Sequence, residues 1–246
     1  DMRYICTRGH ENGLKSAAVI KKGLADNGGL FVPGFVPKIK TNELESFINM
    51  TYAGRAFCVL KKFLTDFSDK EIKSCIGNAY NQDNFDHQDI APLHKLNEHV
   101  YILELWHGPT SAFKDMALQI MPYFMKESIK KSGDKEKTLI LVATSGDTGK
   151  AALEGFKDIE GIEIVVFYPE QGVSEVQKMQ MVTQEGENVN VFAVDGNFDD
   201  AQNGVKEIFT GKEVNDLLLD KGYKFSSANS INWGRLLPQI VYYISS

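Results

Sequence analysis

From about residue 100 onward the chain alternates short apolar runs with helix-patterned stretches, and this alternation restricts its fold more than any other feature. "YILEL" (101–105), "TLILVA" (138–143), "EIVVFY" (163–168), "VNVFAV" (189–194) and the shorter "YKFSS" (223–227) read as strands. Helical stretches fall between them near 115–131, 149–158, 174–185 and 199–210. Strand and helix in alternation require right-handed crossovers, so the expected class is α/β, a parallel sheet flanked by helices. Ligands of such sheets sit beyond the carboxyl ends of the strands. Three loops are expected at that edge: "HGPTSAFKD" after the first strand, "TSGDTG" after the second and "NSINWGR" after the last.

Residues 1–98 read instead as an N-terminal, mainly helical segment, leaving 99–246 as a small α/β domain. "TNELESFINM" is expected to start a helix at Asn42, with Glu45 closing a capping box. Ala53, Ala56, Phe57, Leu60 and Leu64 follow a helical period, and Ser68 with Glu71 marks another helix start. "GGLFVP" (28–33) is an extended piece stopped by proline.

Composition narrows the partners. The 246 residues are 43% hydrophobic and 24% charged, with net charge −6 and cations scattered among acids, so nucleic acid is not an expected partner. No run reaches the roughly 18 apolar residues of a membrane span. Cys6, Cys58 and Cys75 lack C-x-x-C spacing, which fits reduced thiols and a cytoplasmic protein. His87, His94 and His99 have no accompanying ligand pattern, so no metal is expected.

"LVATSGDTGKAALEGF" (141–156) places a hydroxyl- and glycine-rich turn between a strand and a helix, a natural place to hold an anion. It is not a nucleotide P-loop. Gly149-Lys150 is followed by Ala151 rather than Ser or Thr, and Thr144 stands where the first glycine belongs. Thr144, Ser145, Gly146, Asp147, Thr148 and Gly149 leave two readings open, an anion cradle and a capped turn without ligand. Lys114, directly after Phe113, opens a helix, where a cation opposes the helix dipole. That conflict favours a chemical role, since a lysine in a dry pocket or tied up as an imine is usable chemistry.

Together these segments resemble the threonine synthase family. "HGPTSAFKD" is similar to its pyridoxal-phosphate lysine motif and "ATSGDTG" to its substrate loop. "YICTRG", "GLADNGGLFVP", "VDGNFDDAQ" and "NSINWGRLLPQ" match further segments in order. The resemblance implies fold type II of the pyridoxal 5'-phosphate enzymes. It implies conversion of O-phospho-L-homoserine and water to L-threonine and phosphate, the last step of threonine biosynthesis, by a monomer or homodimer.

By the same resemblance Lys114 holds the cofactor and then serves as base, and Phe113 packs beside the ring or in the core. Ser145, Gly146, Asp147 and Thr148 face the substrate carboxylate and the cofactor's 3-oxygen, and Asn229, Ser230 and Arg235 bind substrate phosphate. Asn232 is a candidate helix cap, His107 a loop-orienting hydrogen-bonder and Lys150 a surface residue. The family continues for about as long again, with a G-N-F-G-N phosphate loop. This chain is therefore expected to be the N-terminal portion, with the C-terminal half absent, and by itself to bind cofactor weakly. Two other readings remain: a serine or threonine dehydratase, and a non-catalytic ligand-binding fragment.

Overall fold

A computed structural model describes residues 1–246. Strands β1 (Tyr4–Cys6) and β2 (Asn12–Leu14), helix α1 (Ser16–Lys22) and strand β3 (Phe31–Pro33) come first. The strands form an antiparallel sheet in the order β2-β1-β3, so the mainly helical segment also carries a small sheet, with "GGLFVP" supplying one strand. Helices α2 (Thr41–Phe47), α3 (Tyr52–Phe63) and α4 (Asp69–Ala79) follow. α4 starts as its spacing predicts: Ser68 Oγ accepts from the Glu71 N–H at 3.3 Å, and Glu71 Oε2 accepts from the Ser68 N–H at 2.6 Å. α2 begins earlier than Asn42 and Glu45 suggest. Lys40 takes the cap position, its N–H 3.5 Å from Glu43 Oε2, and this start turns Phe47 into the core.

"YILEL" does not join the parallel sheet. Strand β4 (Leu93–Lys95) pairs antiparallel with β5 (Tyr101–Leu103) in a separate two-stranded ribbon. The reason is local. Asn97 Oδ1 accepts from the His99 and Val100 N–H groups at 2.9 and 3.0 Å, closing a turn that brings β5 back onto β4. A hairpin partner five residues away needs no crossover.

The helical stretch after the lysine motif splits into α5 (Asp115–Leu118) and α6 (Met121–Ser132). Pro122 has no N–H to offer the Leu118 carbonyl, so the helix breaks there.

The main sheet comes next. Its elements are β6 (Lys137–Ala143), α7 (Asp147–Phe156), β7 (Ile162–Pro169), α8 (Glu175–Val182) and β8 (Val189–Val194), then α9 (Phe198–Thr210), α10 (Lys212–Asp220), β9 (Tyr223–Ser227) and α11 (Trp233–Ser245). All four strands are parallel, in the order β8-β7-β6-β9. The chain steps from β6 to β8 in one direction and returns to β9 on the other side of β6. Right-handed crossovers then put α7 and α9 on opposite faces, and both pack on β6 and β7. The reversal makes the carboxyl ends of β6 and β9 a topological switch point, the usual ligand crevice of such sheets.

α11 joins the two parts of the chain by packing against α1, α3, α5 and α6. Its Trp233 ring lies 5.8 Å from Tyr4 and 5.7 Å from Phe63. One continuous apolar core therefore runs from Met2 to Tyr242. No helix is long and apolar enough to cross a membrane.

Candidate active site

β6 ends at Ala143 and α7 starts at Asp147, so three residues make the turn. Buried Thr144 organises it. Its Oγ1 accepts from the Gly146 and Gly149 N–H groups at 3.0 and 2.9 Å and donates to the Gly146 carbonyl at 3.1 Å. The hydroxyl thus shapes the loop from inside. Gly149 is required for close packing: a Cβ there would lie 2.5 Å from Thr144 Cγ2 and 2.7 Å from Met181 Sδ. The N–H groups of Ser145, Asp147 and Thr148 carry no hydrogen bond within the protein. With Ser145 exposed and the other two half-buried, they form a donor edge at the N-terminus of a ten-residue helix.

Lys114 stands at the cap position of α5, and α5 packs on α7. Its Nζ reaches Asp147 Oδ2 at 2.6 Å and lies 4.8 Å from the centre of the Phe113 ring. The lysine side chain is 19% exposed and that of Asp147 47%. Fully buried Asp115 holds the loop in front of the lysine, accepting from the Thr110 N–H at 2.8 Å and the Thr110 hydroxyl at 2.7 Å. Burial raises the Asp115 pKa above its ordinary 3.8, against those hydrogen bonds. Gly108 packs flat on the same carboxyl group, where a Cβ would be 2.5 Å from Asp115 Cβ.

The loop after β9 lies beside the loop after β6. Asn229 Nδ2 donates to the Ala143 carbonyl at 3.4 Å, bridging the two. Asn232 caps α11, as its spacing suggests: its Oδ1 accepts from the Gly234 N–H at 2.8 Å, and its Nδ2 donates to the Ile20 and Ser227 carbonyls at 2.8 and 2.9 Å. Ser230 is exposed and makes no side-chain hydrogen bond.

Arg235 is only 2% exposed and has no carboxylate partner. Its Nη1 donates to Gln239 Oε1 at 2.9 Å, and Gln239 Nε2 donates to the Tyr242 hydroxyl at 2.8 Å. Burial pulls its pKa below the ordinary 12.5, while the fields of Tyr242, Asp147 and Asp115 act the other way. A guanidinium buried without an anionic partner is costly to hold.

His107 sits at the start of the lysine loop, with Nδ1 2.6 Å from Asp86 Oδ1 and Nε2 2.7 Å from Glu104 Oε2. Lys150 reaches Glu154 at 3.2 Å and contacts Gln184 Oε1, so it ties α7 to the segment after α8 rather than standing free on the surface. No group of His, Cys, Asp and Glu is arranged to hold a metal ion.

The structure thus gathers Lys114, Phe113, Asp147, the 144–149 turn and Asn229 at one edge of the sheet, with Arg235 in the field of Asp147. It leaves Ser230 exposed, without a side-chain hydrogen bond. Residue reading missed Asp115, Asp86, Glu104, Gln239 and Gln177, whose amide covers Gly146. Only Asp115 carried a signal, as an acid in the first turn of a helix opened by a lysine.

A family model described as pyridoxal-phosphate dependent enzyme matches residues 86–234, more than half the chain. The chain belongs to the pyridoxal-phosphate-dependent enzymes. A second model, threonine synthase N terminus, matches residues 3–80. The threonine synthase of Pseudomonas aeruginosa is 41% identical over 243 residues, 98% of this chain and 50% of that protein. Human threonine synthase-like 1 is 43% identical over 240 residues, 94% of this chain and 32% of that protein. The crystal structure of a pyridoxal-phosphate-bound threonine synthase from Brucella melitensis superposes with TM-score 0.88 at 36% identity, over 99% of this chain and 51% of that one. The chain therefore spans from about a third to about half of the length of these relatives.

The residues present fit the cofactor of a pyridoxal-phosphate enzyme. Lys114 offers a sheltered amine, Phe113 a half-exposed aromatic face, and Ser145, Asp147 and Thr148 three free N–H donors for anionic oxygens.

Proposed function

We propose that this chain carries the lysine-bearing, substrate-facing part of a threonine synthase, acting on O-phospho-L-homoserine and water to give L-threonine and phosphate. The observation that carries the proposal is the meeting of Lys114 with Asp147 at 2.6 Å, on a donor-lined helix N-terminus. The match of residues 3–80 to the threonine synthase N-terminal model supports this reading over a dehydratase.

Lys114 would hold pyridoxal 5'-phosphate covalently. The cofactor, when bound, supplies an electron sink for charge developing at the substrate Cα. The chain's own residues divide the remaining work. Lys114 takes the Cα proton and returns protons on the path that ends with phosphate leaving Cγ and water adding at Cβ. Asp147 holds the ammonium of the freed lysine beside the turn, so the amine stays at its post between transfers. The N–H groups and hydroxyls of Ser145 and Thr148 bind the substrate carboxylate, with Gly146 permitting close approach. Thr144 and Gly149 shape that turn. Arg235 receives the substrate phosphate through its forked donors, and Asn229 and Ser230 on the preceding loop add polar groups to it.

The reading includes a cytoplasmic monomer or homodimer, and weak cofactor binding by this stretch alone. Assay of the purified protein separates the alternatives. Phosphate released from O-phospho-L-homoserine supports threonine synthase. Ammonia released from threonine or serine supports a dehydratase. Neither, with cofactor bound, supports a ligand-binding module.

A further inference from the structure

We propose that His107, held as an imidazolium between Asp86 and Glu104, is a positioning residue that fixes the segment carrying Lys114. A neutral imidazole has one N–H and satisfies one carboxylate as a donor. His107 contacts two, at 2.6 Å through Nδ1 and 2.7 Å through Nε2, both in the range of charge-assisted bonds. Only the doubly protonated ring donates to both. Partial burial works against the charge, but the hydrogen bonds to Glu104 and Asp86 outweigh it and raise the pKa above 6.5. The titratable groups facing the ring are Asp86 and His87 from the segment after α4 and Glu104 from its own segment; the His87 ring centroid is 5.0 Å away. Trp106 packs alongside at 5.6 Å.

The clamp is two-sided, because the Asp86 N–H also donates to the His107 carbonyl at 3.0 Å. From there the path to the lysine is short and tied at each step. The Ser111 N–H donates to the Gly108 carbonyl at 3.1 Å, Asp115 clasps Thr110, and Lys114 follows. Loss of the proton leaves one N–H for two carboxylates and frees one side of the clamp. A histidine whose folded pKa is raised contributes stability that is complete below its unfolded value. That stability is lost as pH rises through the folded value.

The proposal rests on reading Lys114 as the cofactor-bearing amine, but its test does not need turnover. Imidazole nitrogen and backbone amide NMR signals of the purified protein are followed across a pH titration. His107 is expected to be doubly protonated at neutral pH, and the amides of Gly108–Lys114 to shift with the same midpoint as its ring. Asp86→Asn, at a side chain 79% exposed and so tolerant of change, is expected to lower both midpoints together. His107→Gln is expected to abolish the loop transition and the alkaline limb of the pH–rate profile. A ring that is neutral at neutral pH, or loop amides that ignore its titration in the wild type and in Asp86→Asn, overturns the clamp. If no threonine synthase activity exists, the rate arm is silent and the NMR arms still decide.

Discussion

Asp147 Oδ2 lies 2.6 Å from Lys114 Nζ, although the two residues are 33 positions apart and belong to helices that follow different strands. The contact joins the lysine loop to the turn beyond β6 and defines one reaction centre. It is half-open to solvent on the Asp147 side, so its worth to folding is small while its placement of the amine is specific.

Asp147→Asn is therefore expected to separate stability from activity. Urea unfolding should shift by less than about 1 kcal/mol. The kcat/KM for phosphate release from O-phospho-L-homoserine should fall by more than about tenfold, since a positioned proton carrier is worth roughly two orders of magnitude or more.

Arg235→Met should show the opposite balance. The buried guanidinium has no carboxylate to lose, so an apolar side chain of similar length should leave stability unchanged or raise it by up to about 4 kcal/mol. KM for the phosphorylated substrate should rise by about thirtyfold or more, the cost of removing one member of a desolvated charge pair. Thermal melting and steady-state kinetics read both.

Gly149→Ala should destabilise the protein by about 1–3 kcal/mol, because the new methyl overlaps Thr144 and Met181 in a packed turn. Denaturant midpoints measure the loss. Activity should fall with it, since the same turn carries the donor edge.

Asp115 gives a pH dependence of definite sign. Its folded pKa is raised above 3.8, so between those values the folded state holds more protons than the unfolded chain. Stability should fall as pH rises through that window, and Asp115→Asn should remove this slope. Asp115→Ala should cost about 1–3 kcal/mol by leaving the half-buried Thr110 donors without their acceptor. Urea unfolding at stepped pH values tests all three.

Much of this geometry was legible in the chain. Strand spacing and the crossover rule place "TSGDTG" and "NSINWGR" at one sheet edge, and β6 and β9 prove to be neighbours there. Ser68 with Glu71 and the Asn232 cap are local signals and appear where their spacing puts them. "YILEL" misleads because strand pattern does not name a partner: Asn97 closes a turn and sends β5 onto β4. The lysine loop is then delivered to the edge by α5 packing on α7 and α11, a tertiary relationship with no local signature. α10 places Val214, Leu217 and Leu218 at helical spacing, a signal the reading of the chain passed over, although none of its residues is buried. Nothing in the spacing around Arg235 shows that its guanidinium is buried without a carboxylate, since that depends on which acids other elements bring near.

The central claim is that Lys114 is the amine that holds the cofactor. The purified protein is mixed with pyridoxal 5'-phosphate and reduced with borohydride, and its peptides are mapped by mass. The pyridoxyl group is expected on the peptide containing Lys114, and Lys114→Ala is expected to abolish that label. A label on another lysine, or none on the folded protein even at millimolar-range excess of pyridoxal 5'-phosphate, would contradict the account.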